Sequence, residues 1–507
     1  SGTLSGVVAY DSRHKSPEFA LETALVLAAN GIKAYLFRAL RPVPQLSFAV
    51  RQLGATTGVM ITASHNPSEY NGYKVYWSDG GQVVPPHDKG IIARVRQVTS
   101  LEQVKWMPLR EAEQKGLLEW LGPEIDESFL EAVAEQVIQP DVVPEAAADF
   151  GVVFTPIHGT GATLVPPALE RLGVTRLDVL ASQKDPDPEF STVKSPNPEE
   201  RAALELAIEQ ALRTDASLVI ATDPDCDRMA IASRCHDGTF ELLNGNQIGS
   251  IFCHYVLGRL SDRGALPARP VIIKTIVTTE LQRAIAESFG VGVIDTLTGF
   301  KYIGEQIRLF ETAGDDSPNF VCGGEESYGY LIGTHARDKD AVVASQLIAE
   351  IAAWCALNDR TLGDYLEEIF RTYGLYLESL RSMTLKGIQG AGQISRLMEA
   401  FRVKPPEEIS GSRVTGWWDL ASGLRTDRVT GQKTKTALPS SNVLVFYLED
   451  KGKVTMRPSG TEPKIKFYFG VVRQVEEGEE VAEARVEAQD RLDRLEADFM
   501  ALVESFL

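Results

Sequence analysis

The chain has 507 residues, too many for one compact core, and at roughly 150 residues per domain it is expected to form three to four. Its composition, 44% apolar and 24% charged, is that of a globular protein, and 51 Lys plus Arg against 70 Asp plus Glu leave a net charge of -19. That charge argues against a nucleic-acid partner, whose binding would rest on neutralising phosphates. Five cysteines (Cys226, Cys235, Cys253, Cys322, Cys355) with no C-x-x-C pair give neither a disulfide framework nor a thiolate zinc site. The apolar stretch from Ala341 to Leu357 is interrupted by Gln346 and Glu350 at helical spacing, and the opening Ser-Gly-Thr-Leu has no apolar signal core. Neither a membrane span nor an export signal is expected, and the expected location is the cytoplasm.

Gly6 to Tyr10 reads as a buried strand, and Ser16-Pro17-Glu18 offers an N-cap, an N1 proline and an acidic first turn for a helix stopping at Gly31. Ile32 to Phe37 is the next strand, followed by a helix from about Pro44 to Leu53 and a strand from Gly58 to Thr62. The same alternation recurs twice. A second unit runs through strands at Phe150 to Thr155, near Leu177 and at Ser217 to Thr222, with helices near Val165 to Leu172 and at Glu199 to Arg213. A third has strands at Val271 to Ile276, Val291 to Thr296 and Asn319 to Cys322, with helices at Thr279 to Phe289 and from Gly304. From about Tyr376 short strands and turns take over, ending in a charged helix from about Glu479. The predicted fold class is α/β: three related α/β domains with mixed, mostly parallel sheets (1–145, 146–244, 245–374) and a smaller C-terminal α+β domain (375–507).

Ligands of open α/β sheets bind beyond the carboxyl ends of strands, which directs attention to the loops after Thr62, Thr222 and Cys322. Thr62-Ala-Ser64-His65-Asn-Pro67 places a hydroxyl at a sheet edge. Adjacency of Ser64 and His65 is no sign of a catalytic triad, because neighbouring side chains generally diverge and the G-x-S-x-G elbow is absent. Asp223-Pro-Asp225-Cys-Asp227-Arg228 has three carboxylates at alternate positions, suited to one hard cation. A calcium loop fails, because Arg228 stands where Gly and Arg234 where the bidentate Glu is required; Mg²⁺ shared with a phosphate fits better, and zinc lacks ligands. Gly323-Gly-Glu325-Glu-Ser327-Tyr-Gly329 suits sugar hydroxyls, and Arg457-Pro-Ser459-Gly460-Thr461-Glu-Pro-Lys464 suits a phosphate. Lys74, Arg228, Lys274, Lys301, Lys339, Arg457, Lys464 and Lys466 lie in or beside these loops, an expected island for a small anion in an acidic chain.

These four loops, in this order, closely resemble the signature loops of the α-D-phosphohexomutase superfamily. Asn71-Gly-Tyr-Lys74, Thr298-Gly-Phe-Lys-Tyr-Ile303, Arg337-Asp-Lys-Asp340 and the Glu-Glu-Ser of the sugar loop look most like its phosphoglucomutase branch. The resemblance implies four domains around a central cleft, with Ser64 as the phosphoserine that donates and recovers a phosphoryl group. It implies Mg²⁺ held by Ser64, Asp223, Asp225 and Asp227. It further implies sugar contacts from Glu325 and Ser327, a phosphate grip from Arg457, Ser459, Gly460 and Thr461, and His65, Lys74, Arg228 and Lys339 close to the reacting groups. Lys274 and Lys464 join the substrate-binding candidates as cations. The implied reaction interconverts glucose 1-phosphate and glucose 6-phosphate through glucose 1,6-bisphosphate, with mannose or pentose phosphates, or non-catalytic sugar-phosphate binding, as alternatives. Hexose phosphates are the expected partners of a monomer or homodimer, without nucleic acid or membrane. Family members usually open with a Gly-Thr-x-Gly-x-Arg-Gly segment that does not stand before Gly6, a departure expected to reflect either a trimmed chain or one lacking a helper phosphate contact. For the general acid and base, Lys74 and Lys339 are expected to have pKa values lowered toward neutrality by neighbouring cations, with His65 aimed away from Ser64.

Overall fold

In the computed structural model, which describes residues 4–314, 316–385, 387–460 and 463–506 (387–389 by backbone alone), the buried apolar runs become the middle strands of three mixed sheets. The first comprises β1 (Ser5–Tyr10), β2 (Lys33–Phe37), β3 (Thr57–Ile61), β4 (Tyr73–Trp77) and β5 (Leu118–Leu121) in the order β4-β3-β1-β2-β5. The second comprises β6 (Gly151–Thr155), β7 (Arg176–Val179), β8 (Leu218–Thr222), β9 (Met229–Arg234) and β10 (Phe240–Leu243) in the order β10-β9-β8-β6-β7. The third comprises β11 (Pro270–Thr275), β12 (Gly292–Thr296), β13 (Asn319–Glu325) and β14 (Gly329–Ile332) in the order β12-β11-β13-β14.

One device repeats in all three. The third strand of each unit runs parallel to the first, then doubles back as an antiparallel hairpin: β3 to β4, β8 to β9 and β13 to β14. Each hairpin turn carries one of the unusual loops. The anchoring strand is buried on both faces; β8 has no exposed residue and packs, with β6, under the helix Arg201–Thr214 through Leu204, Ala207 and Ala211. Full burial of each large apolar side chain there contributes about 1.5–3 kcal/mol, so the strand that aims each loop cannot shift cheaply.

Some boundaries differ from the sequence expectation for identifiable reasons. The first helix spans Ser16–Ala29, and Lys15, in the left-handed conformation at φ 64°, occupies the cap position instead of Ser16. The Ser16 hydroxyl donates to Asp11 Oδ1 at 2.9 Å and caps nothing. The helix expected from Gly304 starts at Phe300, after Gly299 at φ 111°. Gly304 answers a packing need, since a Cβ there would lie 2.4 Å from the Arg337 carbonyl oxygen. The apolar stretch forms the helix Ala341–Leu357, buried along nearly its whole length. Gln346 and Glu350 face protein partners: Gln346 Nε2 donates to the Val133 carbonyl at 2.8 Å, and Glu350 accepts the Ile138 and Gln139 amides at 3.1 and 2.8 Å. Among the described residues no single helix is long and apolar enough to cross a membrane.

The chain packs as two compact units, one running to Thr275 with Ala286–Tyr365, the other formed by Ile276–Ile285 with the chain from Leu366. All three mixed sheets belong to the first. The second is built on an antiparallel sheet of β15 (Leu375–Thr384), β16 (Glu408–Ile409), β17 (Ser412–Asp419), β18 (Leu424–Asp427), β19 (Lys433–Lys435), β20 (Leu444–Leu448), β21 (Lys453–Pro458) and β22 (Lys464–Arg473). The closing helix Val481–Glu504 packs on it through Phe499, whose ring lies 5.4, 6.1 and 5.8 Å from those of Phe401, Phe467 and Phe469. That unit is the α+β domain.

Candidate active site

The β3–β4 turn is shaped so that the Ser64 side chain leaves the loop toward the neighbouring hairpin. Thr62 Oγ1 accepts the Ser64 amide at 2.8 Å, and Ser64 adopts the left-handed conformation at φ 54°. Its hydroxyl donates to Asp223 Oδ2 at 2.9 Å. His65 turns back rather than away: its Nδ1 lies 3.2 Å from Ser64 Oγ, which corrects the expectation that the two neighbours diverge. The positive φ at Ser64 is the reason, since it breaks the strand alternation that would have separated them.

The β8–β9 turn brings Asp223, Asp225 and Asp227 together. Cys226, fully buried at φ 53°, turns the backbone, and Asp223 Oδ1 accepts the amides of Asp227 and Arg228 at 3.0 Å each. One carboxylate oxygen from each of the three aspartates lies within 4.8 Å of the others, and all three side chains are buried. Asp225 Oδ1 and Asp227 Oδ1 are buried without a hydrogen-bond donor. Three carboxylates at this spacing, with inward oxygens lacking donors, form an all-oxygen set that could hold a hard cation. Burial and the neighbouring Asp225 and Asp227 push the Asp223 carboxyl up. Burial also raises Asp227, but Lys339, Lys74 and Arg228 overcome it and hold that carboxyl down.

A supporting loop escaped the sequence reading. Pro156 to Gly161 follows β6 and lies directly behind the aspartates: a Cβ at Gly159 would sit 2.4 Å from Pro224 Cα, and one at Gly161 2.3 Å from Thr222 Oγ1. The Thr160 amide donates to the Pro224 carbonyl at 2.8 Å. The signal available was the Gly159-Thr-Gly161 pair just after a buried strand, a mark of close backbone approach.

The cations around the aspartates are paired. Lys74 Nζ lies 2.8 Å from Asp225 Oδ2 and 3.2 Å from Asp227 Oδ2, and Lys339 Nζ lies 3.1 Å from Asp227 Oδ2 and 3.3 Å from Asp338 Oδ1. Burial lowers both ammonium groups, but these carboxylates outweigh it and raise both pKa values. The expected depression toward neutrality is thereby reversed, because acids outnumber cations at this spot. Arg228 pairs with Glu199 at 2.6 Å. Burial, chiefly, and the Arg228 charge lower His65 to about 4.

Glu325 is nearly buried, accepts the Gly299 amide at 2.8 Å, and acts electrostatically on both Arg228 and Lys339. Ser327 lies in the β13–β14 turn, half-buried. Gly329 gives Lys339 its path: a Cβ there would lie 2.1 Å from Lys339 Cδ. Two expected members of the cation island stand apart. Lys274 is fully buried and paired with Asp295 at 3.0 Å, and Lys301 Nζ lies 4.0 Å from Asp88 and over the Tyr302 ring. In the second unit, β21 and β22 pair Arg457 opposite Lys466. The Ser459 amide donates to the Lys464 carbonyl at 2.7 Å, and Gly460 is exposed. Alternation along β22 buries Ile465 and Phe467 and leaves Lys464 and Lys466 on the opposite face, so Arg457 and both lysines gather at one hairpin end. Thr461 lies outside the described residues.

Four family models match in series: the α/β/α domains I, II and III of phosphoglucomutase/phosphomannomutase at residues 3–102, 127–238 and 244–373, and the C-terminal domain at 425–488. The chain belongs to the phosphoglucomutase/phosphomannomutase family and is a phosphohexomutase-type enzyme, an isomerase. It is 39% identical to a phosphoglucomutase of Staphylococcus epidermidis over 92% of this chain and 82% of that protein. It is 38% identical to one from Staphylococcus aureus over 92% of this chain and 81% of that protein. The fold is also that of the solved Paramecium protein pp63/parafusin, a phosphoglucomutase in open form, with a TM-score of 0.70 over 100% of this chain and 89% of that one at 18% identity.

Proposed function

We propose that the enzyme interconverts glucose 1-phosphate and glucose 6-phosphate through a phosphorylated Ser64 and a glucose 1,6-bisphosphate intermediate. The observation that carries this is the Ser64 hydroxyl, half-buried on a left-handed turn and 2.9 Å from the first of three clustered aspartates. The glucose preference is supported by relatives named phosphoglucomutase, more than four fifths of whose length this chain matches. A hard divalent cation such as Mg²⁺, held by Asp223, Asp225, Asp227 and an oxygen of phosphorylated Ser64, would neutralise charge on the transferring group.

In the forward direction the bond from phosphorus to Ser64 Oγ breaks as one forms to the free hydroxyl of the sugar. The hydroxyl gives up its proton and Ser64 Oγ takes one back. Lys74, Lys339 and Arg228 supply fixed positive charge for the equatorial oxygens, which is what a loose phosphoryl transition state requires. Because Lys74 and Lys339 are held protonated, we assign proton transfer by geometry to His65, whose Nδ1 already faces Ser64 Oγ. Glu325 and Ser327 would orient the sugar hydroxyls, with Lys274, paired with Asp295, supporting the site from within the sheet. Arg457, Ser459, Gly460, Thr461 and Lys464 would grip the phosphate that is not reacting. Domain limits near 145, 244 and 374 fit this division of labour, with one loop per domain, in a protein that works on small hexose phosphates in the cytoplasm as a monomer or homodimer.

The substrate assignment is tested by kcat/KM for the 1-phosphates of glucose, mannose and ribose. A preference for glucose 1-phosphate is expected, and equal or higher values for either of the others would move the enzyme elsewhere in its family.

A further inference from the structure

The residue that shapes the Ser64 loop is Arg13, a side chain with no place in the reaction outlined above. It follows β1 and is 1% exposed. Its guanidinium collects four backbone carbonyls from a single stretch of chain. Nη2 donates to Ser64 and Asn66 at 2.5 Å each, and Nη1 donates to Pro67 at 2.7 Å and to Tyr70 at 2.9 Å. Nε faces Asp11 Oδ2 at 3.3 Å, the Arg13 amide donates to Asp11 Oδ1 at 3.0 Å, and the Phe190 ring lies 5.1 Å from the guanidinium carbon.

Carbonyls of consecutive residues ordinarily point in different directions, so four converging on one centre define the loop's course closely. Ser64 contributes the first of them while its own φ is positive, a conformation that costs about 1–2 kcal/mol for a residue with a Cβ and persists only where surrounding contacts impose it. Only a planar, forked donor can serve four acceptors in this way; a lysine ammonium has three donors on one atom. Asp11 is fixed in turn by the Ser16 hydroxyl, and Ser16 by Asn71 Nδ2 at 2.9 Å, so both ends of the loop are tied to one frame.

We infer that Arg13 is the positioning residue of the phosphoryl-transfer step: by clamping the Ser64, Asn66, Pro67 and Tyr70 carbonyls it holds Ser64 Oγ on the line of transfer. The inference rests on Ser64 being the group that carries phosphate, so the test begins with the wild-type enzyme. Ser64 must take up phosphate from glucose 1,6-bisphosphate there; failure at that stage counts against the parent reading and leaves the clamp without a reaction to serve.

The variants are Arg13→Lys and Arg13→Gly, each compared with wild type at equal folded fraction measured by circular dichroism and thermal unfolding. Because the Arg13 guanidinium is buried with its donors spent on loop carbonyls, kcat should fall about 10²-fold in Arg13→Lys, as displaced reacting groups do, while KM for glucose 1-phosphate stays within about threefold. The single-turnover rate of Ser64 phosphorylation should fall with kcat, and added guanidinium ion should restore part of it in Arg13→Gly but leave Arg13→Lys unchanged. Wild-type kcat in folded Arg13→Lys would overturn the proposal. So would an activity loss that only follows the folded fraction, or a loss expressed in KM alone. If Arg13→Gly does not fold, the kcat-against-KM split and the single-turnover rate of Arg13→Lys decide alone.

Discussion

The β3–β4 turn around Ser64 and the β21–β22 hairpin around Arg457 are built in opposite ways. At Ser64 the backbone is clamped, the hydroxyl is donated to Asp223, and the adjoining cations are paired with carboxylates. At the hairpin the stem is firm, with Phe467 and Phe469 in the core, but Gly460 at its end is exposed. Among the described residues, neither the Arg457 guanidinium nor the Lys464 ammonium has a hydrogen-bond or ion-pair partner. The contrast matches two demands on a mutase. On the proposed mechanism a reacting atom must be held within fractions of an ångström, whereas the proposed phosphate grip would meet first one phosphate and then the other and so would have to accept two sugar orientations.

Breaking the clamped side should cost most. Ser64→Ala should leave circular dichroism and thermal unfolding essentially unchanged and lower kcat by 10³-fold or more, on the order of losses seen when a nucleophile is removed. Next comes the aspartate cluster. Asp225→Asn should reduce kcat by about 10²-fold, and chelation should silence the wild-type enzyme until Mg²⁺ is restored. Full turnover with zinc but none with Mg²⁺ would contradict the hard-cation assignment.

The clamped side was also where the sequence was hardest to read in detail. The four loops stood out because polar and glycine-rich segments directly after buried strands are unusual, and strand and helix alternation gave the three α/β units. What followed from three-dimensional pairing did not. Lys274 sits beside Asp295 because β11 and β12 are in register at those two residues, a partner no local pattern names. The lysine pKa values are raised, not lowered, because Asp227 and Asp338, joined by Asp225 at Lys74 and by Glu325 at Lys339, converge on the two ammonium groups from separate segments. No local pattern singles out Arg13, whose burial comes from contacts with the Ser64 loop, distant in sequence.

The open side should respond more mildly. Arg457→Ala should raise KM for glucose 1-phosphate about tenfold, with a smaller change in kcat, because a phosphate contact of about 1–2 kcal/mol is removed from a hairpin that positions no reacting atom; Arg457→Lys should recover part of it. A purely kcat effect would mean that the hairpin also aligns the transfer.

The smallest effect lies outside both loops. His254, packed beside the Phe289 and Tyr365 rings and hydrogen-bonded to the Tyr365 hydroxyl at 2.7 Å, is lowered to about 4 by burial and by Arg259. Its unfolded value is near 6.5, so the unfolded chain binds the extra proton first, and stability is lost as pH falls from about 6.5 toward 4. The loss should reach about 2–3 kcal/mol in wild type and shrink in His254→Phe, read from denaturant midpoints across that range. An unchanged slope in the variant would assign the acid sensitivity to other groups.

The central claim, that a phosphoryl group passes through Ser64, is tested most directly by mass analysis of the peptide containing Ala63 to Lys74 before and after reaction. Incubation with glucose 1,6-bisphosphate should place one phosphate on Ser64, and either glucose 1-phosphate or glucose 6-phosphate should then remove it within a single turnover. Full mutase activity with Ser64 unmodified throughout, or with the phosphate on another residue, would contradict the account.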